Sequence, residues 1–229
     1  MKTIGILGGM SAASTAIYFD RLCALTRDRL GGLASPELLI RAVNFAPIAA
    51  LQAEGDWDSQ AKILNREARA LQAGGADILI LATNTMHKLA DQMREGVDLP
   101  FIHIADATAA AIVAAGHRRP ALLATAFTME QTFYLDRLRG AGLDPIVPET
   151  PDRAETHRII YEELCKNVVT ERSRATYELI AQRLVDAGAD SLILGCTEVG
   201  LLLNAGNVSV PVFDTVAIHC SAALNVAIG

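Results

Sequence analysis

The chain repeats itself at a distance of 113 residues, and that repeat narrows the folds open to it. Gly75-Ala76-Asp77-Ile78-Leu79-Ile80-Leu81 aligns with Gly188-Ala189-Asp190-Ser191-Leu192-Ile193-Leu194, with six of seven positions identical. Upstream, Leu71 matches Leu184 at the same offset. Pro100 and Pro211, 111 residues apart, each precede an apolar strand and an alanine-rich helix. A looser pair joins residues 4–8, followed by Met10-Ser11, to residues 121–124, followed by Thr125. Three pairs in the same order point to a tandemly duplicated α/β unit, so the 229 residues read as two repeats sharing one cleft.

The pattern around the repeat agrees. Short apolar runs, read as strands over 3–8, 37–43, 78–82, 101–104, 121–125, 146–147, 191–195 and 212–214, alternate with helical periodicity over 12–30, 57–73, 85–94, 106–115, 129–139, 153–165, 171–186 and 215–227. Such alternation predicts parallel sheets covered on both faces, and continuous apolar runs are what buried parallel strands require. The expected fold class is α/β, with two pseudo-symmetric domains. Each is a central, mostly parallel sheet flanked by helices, and the active site lies in the interdomain cleft. Residues 1–102 plus 211–229 form the first domain and 103–210 the second, with crossings near residues 100 and 211.

Composition removes several functions. Hydrophobic residues make up 51%, which excludes a disordered chain. A net charge of −6 argues against a general nucleic-acid binder, and 5% aromatics argue against a base-stacking platform. A local pocket can still take anions on an acidic protein. No apolar run reaches the roughly 18 residues of a membrane span, and Gly8-Gly9 cuts short the N-terminal run that would mimic a signal peptide. The chain reads as cytoplasmic, with no nucleic-acid and no membrane partner. Cys23, Cys165, Cys196 and Cys220 are far apart, without metal-ligand spacing, so most read as small buried hydrophobes. No metal is expected.

The repeat singles out one cysteine. In open parallel sheets, ligands bind beyond the carboxyl ends of the strands. One repeat ends in Thr83-Asn84-Thr85 and the other in Cys196-Thr197-Glu198, which superposes Thr83 on Cys196. If the halves face each other, these two positions flank one cleft, as moving a proton from one face of a carbon to the other requires. The first turns of the helices expected after each strand offer backbone N–H groups to a carboxylate. Asn84, Thr85 and Thr197 add side-chain donors; their bland role is helix capping. Thr125 ends the strand of the weaker pair. Gly8-Gly9-Met10-Ser11 is an incomplete phosphate-loop pattern and reads better as a tight turn.

Seven segments together resemble the aspartate/glutamate racemase family: IGILGGMS (4–11), EGDW (54–57), TNTMHK (83–88), HIADAT (103–108), FTMEQ (127–131), HRIIYEEL (157–164) and GCTE (195–198). The resemblance spans nearly the whole chain. It implies a cofactor-independent amino-acid racemase with two pseudo-symmetric α/β domains. In that family a cysteine at each strand end handles one face of the α-carbon, and no PLP is needed. This chain departs from the pattern by carrying Thr83 in place of the first cysteine. A threonine hydroxyl is no base comparable to a thiolate, whose reference pKa is about 8.5.

The resemblance therefore implies catalysis biased towards L-aspartate or L-glutamate. Cys196 abstracts the α-proton, and Thr83, directly or through water, protonates the opposite face. For the second carboxylate it points to Lys166 and Gln52. Glutamate racemases carry histidine where Glu198 stands, which favours the aspartate branch; a carboxylate there raises the thiol pKa. A catalytic thiolate needs a depressed pKa, and the expected helix N-terminus would supply it. His87, one helical turn after Thr83, reads first as structural, and His103, His117, His157 and His219 show no metal-ligand spacing. The rival readings are a single-cysteine decarboxylase of a malonate-like acid, a non-catalytic amino-acid-binding protein and a nucleotide-binding α/β protein. The alanine- and leucine-rich helical faces suit a homodimer.

Overall fold

A computed structural model describes residues 1–166 and 168–229. The chain divides into two compact units, Met1–His103 with His219–Gly229, and Ile104–Ile218.

The first unit runs β1 (Ile4–Gly8), α1 (Ala12–Leu30), β2 (Leu38–Ala42), α2 (Phe45–Glu54), α3 (Trp57–Ala73), β3 (Ile78–Leu81), a 3-10 turn (Thr85–Leu89) and α4 (Ala90–Met93). Its parallel sheet has the order β2-β1-β3, with Ile4 opposite both Leu38 and Ile78. β1 and β3 are buried along their whole length, as their uninterrupted apolar sequence demands. Ile48, Leu64, Leu71, Leu79 and Met93 lie in the core that this sheet shares with α2 and α3. The sequence reading did not include α2. Pro47 hid it, yet proline is tolerated in a first turn, where no intrahelical N–H bond is lost. Asn44 caps that helix by accepting from the Ala46 N–H at 3.2 Å. Asp56 caps α3 by accepting from the Ser59 N–H at 2.9 Å, which gives the Glu-Gly-Asp-Trp segment a structural role.

The second unit runs α5 (Ile104–Ala114), β4 (Pro120–Leu123), α6 (Ala126–Glu130), α7 (Thr132–Gly140), α8 (Thr150–Glu162), a 3-10 turn (Leu164–Lys166), α9 (Glu171–Asp186), β5 (Ser191–Leu194), a 3-10 turn (Val199–Leu201) and β6 (Val212–Asp214). α10 (Thr215–Ile228) starts here, and from His219 onward its residues belong to the first unit. The sheet order is β4-β5-β6, again parallel.

The duplication survives in the pairing. Leu79 bridges Phe101 and Leu192 pairs with Val212, so residues aligned by the repeat take equivalent partners. Two expected strands shrink to single bridges, Leu79 with Phe101 and Ala121 with Ile146. α5 begins at once after the first, and Pro145 and Pro148 bracket the second. The expected return to the first domain near residue 211 is displaced to His219. β6 is bonded into the second sheet, where the Leu192 N–H donates to the Pro211 carbonyl at 2.9 Å, and the Thr215 hydroxyl donates to the Leu194 carbonyl at 2.8 Å. Among the described residues, no helix is long and apolar enough to cross a membrane.

Candidate active site

In the first unit, two turns at the carboxyl ends of neighbouring strands are tied together. After β1, Gly9 takes φ +92°, and a Cβ there would meet the Val43 carbonyl oxygen at 2.2 Å, so only glycine fits. The Gly9 N–H donates to Thr15 Oγ1 at 2.7 Å, and Ser11 Oγ accepts from the Ser14 N–H at 3.1 Å to cap α1. This is the tight turn that the sequence suggested. The Ser14 hydroxyl then donates to the Ala82 carbonyl at 3.0 Å, which fixes the turn after β3.

That second turn carries Thr83, Asn84 and Thr85, all buried. Asn84 makes no side-chain cap bond, so the bland capping role is not the one it plays. Gln52, near the end of α2, lies 5% exposed with its amide 4.0 Å from the Met86 sulfur, and so borders the same turn. Lys88 sits 4.0 Å above the Trp57 ring, and burial lowers its pKa.

In the second unit, Gly195 directly follows β5. A Cβ there would meet Leu122 Cδ1 at 2.6 Å and Ala124 Cβ at 2.9 Å, so the strand end can pack this closely against β4 only as glycine. Cys196, Thr197 and Glu198 follow. The Cys196 thiol donates to Glu198 Oε2 at 3.1 Å, and the Thr197 hydroxyl donates to the same oxygen. Glu198 is 3% exposed. Cys196, Cys165 and Tyr161 pack against one core cluster. An aromatic ladder continues from Tyr161 to His157 at 4.6 Å and on to Phe127 at 5.6 Å. His157 Nδ1 accepts from the Ala126 N–H at 3.3 Å, and burial lowers its pKa, so a neutral ring braces the turn after β4. Thr125 caps that turn, accepting from the Thr128 N–H at 3.4 Å and pairing with its hydroxyl at 3.1 Å.

The electrostatics depart from expectation at Cys196. No α-helix follows β5; the 3-10 turn Val199–Leu201 is too short to supply a helix dipole. Burial raises the thiol pKa well above its ordinary value, and the Glu198 charge raises it further, with Cys165 adding to both. Part of the residue still reaches solvent, which softens the penalty without reversing it. Cys196 is therefore a thiol beside a carboxylate rather than a standing thiolate. Cys165 is likewise pushed up, to about 12, chiefly by burial and then by Glu198.

The structure thus joins Gln52, Thr83, Asn84 and Thr85 in one unit, and Cys196 and Thr197 in the other. Thr125 reaches the second cluster through the His157–Tyr161 ladder. Lys166 is exposed at the end of its 3-10 turn, next to Cys165. Three features lay beyond the sequence reading. One is the bond itself: Glu198, read from the sequence only as a carboxylate near Cys196 of open role, accepts from the thiol. Tyr161 packs with the thiols. A buried cluster sets His103 and His219 at 4.5 and 5.7 Å from His87, between ring centroids. Among the described residues, no group of His, Cys, Asp and Glu side chains could hold a metal ion.

The sequence profile of the Asp/Glu/hydantoin racemase family matches residues 7–223. The broad-specificity amino-acid racemase RacX of Bacillus subtilis is 24% identical over 219 residues, 93% of each chain. Two crystal structures superpose over 100% of both chains. One is an Asp/Glu racemase candidate from Yersinia pestis, 44% identical with a TM-score of 0.93. The other is an aspartate racemase homologue from Pyrococcus horikoshii, 35% identical with a TM-score of 0.87. With a family profile that matches nearly the whole chain and a 44% identical structure that superposes along its full length, the chain belongs to the Asp/Glu/hydantoin racemase family and is an isomerase.

Proposed function

We propose that this enzyme interconverts the enantiomers of acidic amino acids without PLP, working preferentially from the L-form. The observation that carries the reading is the Cys196 thiol donating to the buried Glu198 carboxylate at 3.1 Å. Glu198 takes the thiol proton, and the sulfur so released removes the α-proton of an L-substrate. The resulting negative charge spreads into the substrate carboxylate, where donors from Asn84, Thr85 and Thr197 stabilise it. Thr83, directly or through water, delivers a proton to the opposite face and recovers one from solvent, to which Glu198 releases the proton it took. Lys166 and Gln52 receive the distal carboxylate, and Thr125 completes the substrate contacts. Because a threonine hydroxyl is a poor base, D-substrates react slowly.

The test is incubation in D₂O with each enantiomer of aspartate and glutamate, following Cα deuteration and optical rotation. Deuteration and inversion from L-substrates are expected, with Cys196→Ser abolishing both. No exchange with any acidic amino acid overturns the reading. Release of CO₂ from a malonate-like acid in its place would assign a decarboxylase. Thr83→Cys is expected to improve turnover of D-substrates; an unchanged D-rate removes Thr83 from the mechanism.

A further inference from the structure

We infer that His87 is a positioning residue for Thr83, acting through the Thr83 peptide carbonyl; this rests on the proposed role of Thr83 as the proton donor. In a regular α-helix the carbonyl of residue 83 would accept from the N–H of residue 87. The turn after β3 is 3-10 instead, and the His87 N–H donates to the Asn84 carbonyl at 3.2 Å. The bond thereby lost to Thr83 is replaced by the side chain, since His87 Nδ1 lies 2.7 Å from the Thr83 carbonyl oxygen. A carbonyl only accepts, so Nδ1 carries the proton. On its other side, the Thr83 N–H donates to the Leu81 carbonyl at 2.9 Å. Both peptide groups of Thr83 are held, which fixes the direction of the Cα–Cβ bond that carries its hydroxyl.

The imidazole is itself wedged in place. His87 is 2% exposed, with Phe101 at 5.5 Å, His103 at 4.5 Å and His219 at 5.7 Å between ring centroids. His219 is pinned through both nitrogens: the Tyr18 hydroxyl donates to Nδ1 at 2.8 Å, and Nε2–H donates to the Ile102 carbonyl at 2.8 Å. This explains why a histidine, and not any apolar residue, stands at this buried position. The site needs a ring that packs and a donor that reaches four residues back.

A residue that only supports the fold would slow both proton transfers alike. One that orients Thr83 slows delivery to the far face and spares abstraction by Cys196. The experiment therefore compares deuterium wash-in at the retained L-centre with inversion, in D₂O with L-aspartate and L-glutamate. His87→Phe keeps the packing and removes the donor, whereas His87→Gln keeps an amide donor. For His87→Phe, inversion is expected to fall about 10- to 100-fold relative to wash-in, as for a misplaced reacting group. His87→Gln is expected to recover part of it. A ratio unchanged in His87→Phe, or wash-in and inversion falling together, overturns the inference. Should phenylalanine prevent folding, His87→Asn, whose shorter amide falls back from the carbonyl, is set against His87→Gln; equal ratios in that pair overturn it as well. Absence of wash-in from the unsubstituted enzyme would instead count against the proposed reaction.

Discussion

Cys196 and Glu198 form a pair whose chemistry depends on where one proton sits. Burial and the neighbouring carboxylate both keep the proton on sulfur at neutral pH. The reactive form grows as pH rises, so L-substrate exchange is expected to increase above neutrality; a rate flat or falling from pH 7 to 9 would contradict the assigned thiol state. Glu198→Gln removes the proton acceptor and leaves the shape. We expect exchange to fall by about 10²-fold or more, the usual contribution of a general base. The pH-rate profile should also move down, because the charge that raises the thiol pKa is gone. An active Glu198→Gln enzyme with an unshifted profile would make Glu198 structural. The identity of Cys196 as the candidate base was legible from the repeat and the family resemblance. Its protonation was legible only in part: the Glu198 carboxylate was read as raising the thiol pKa, but a local reading sets an expected helix dipole against it and cannot count the protein packed around the sulfur.

Among the elements, the strand ends do the positioning. β3 and β5 were legible as apolar runs of four to six residues closed by polar groups, since parallel strands buried on both faces leave no other pattern. The elements that follow them were not. Both were read as helices, and both open in 3-10 turns. Side-chain bonds decide this outcome: His87 supplies the bond to the Thr83 carbonyl, and Glu198 collects Cys196 and Thr197 at one oxygen. α2 escaped notice for a related reason, because a proline near its start looks like a break until the first turn is placed on it. The closeness of β4 and β5 yields a prediction at this scale. Gly195→Ala pushes a methyl into Leu122 and Ala124, and overpacking of this kind costs about 1–3 kcal/mol. A lowered melting temperature with reduced exchange is expected; unchanged stability would mean that the strand end gives way freely.

Across the whole chain, His219 shows how distant segments meet. It joins Tyr18 of α1 to the Ile102 carbonyl from within α10, partners 201 and 117 residues away. Burial pushes its pKa down to about 4. The folded state therefore holds it neutral while the unfolded chain takes up a proton below about 6.5. Its contribution is complete above pH 6.5, is lost as pH falls from 6.5 towards 4, and changes little below that. The loss is about 3 kcal/mol by linkage. His219→Gln should flatten the slope of unfolding free energy between pH 6.5 and 4.5. An equal slope in both proteins would show that His219 does not set it. No reading of neighbouring residues reaches this group, because nothing near position 219 in the sequence reports on Tyr18 or Ile102.

Local pattern by itself determined the duplicated α/β plan, the strands that matter most, and the cysteine and threonine that close them. Burial on two faces and turn chemistry act within a few residues, so they leave their mark in the sequence. Tertiary structure alone decided that β6 stays with the second sheet, that Glu198 faces the Cys196 thiol, and that His87 rather than backbone N–H holds Thr83. Those outcomes depend on which polar groups must find partners once water has been excluded, and the packed fold alone supplies the choices.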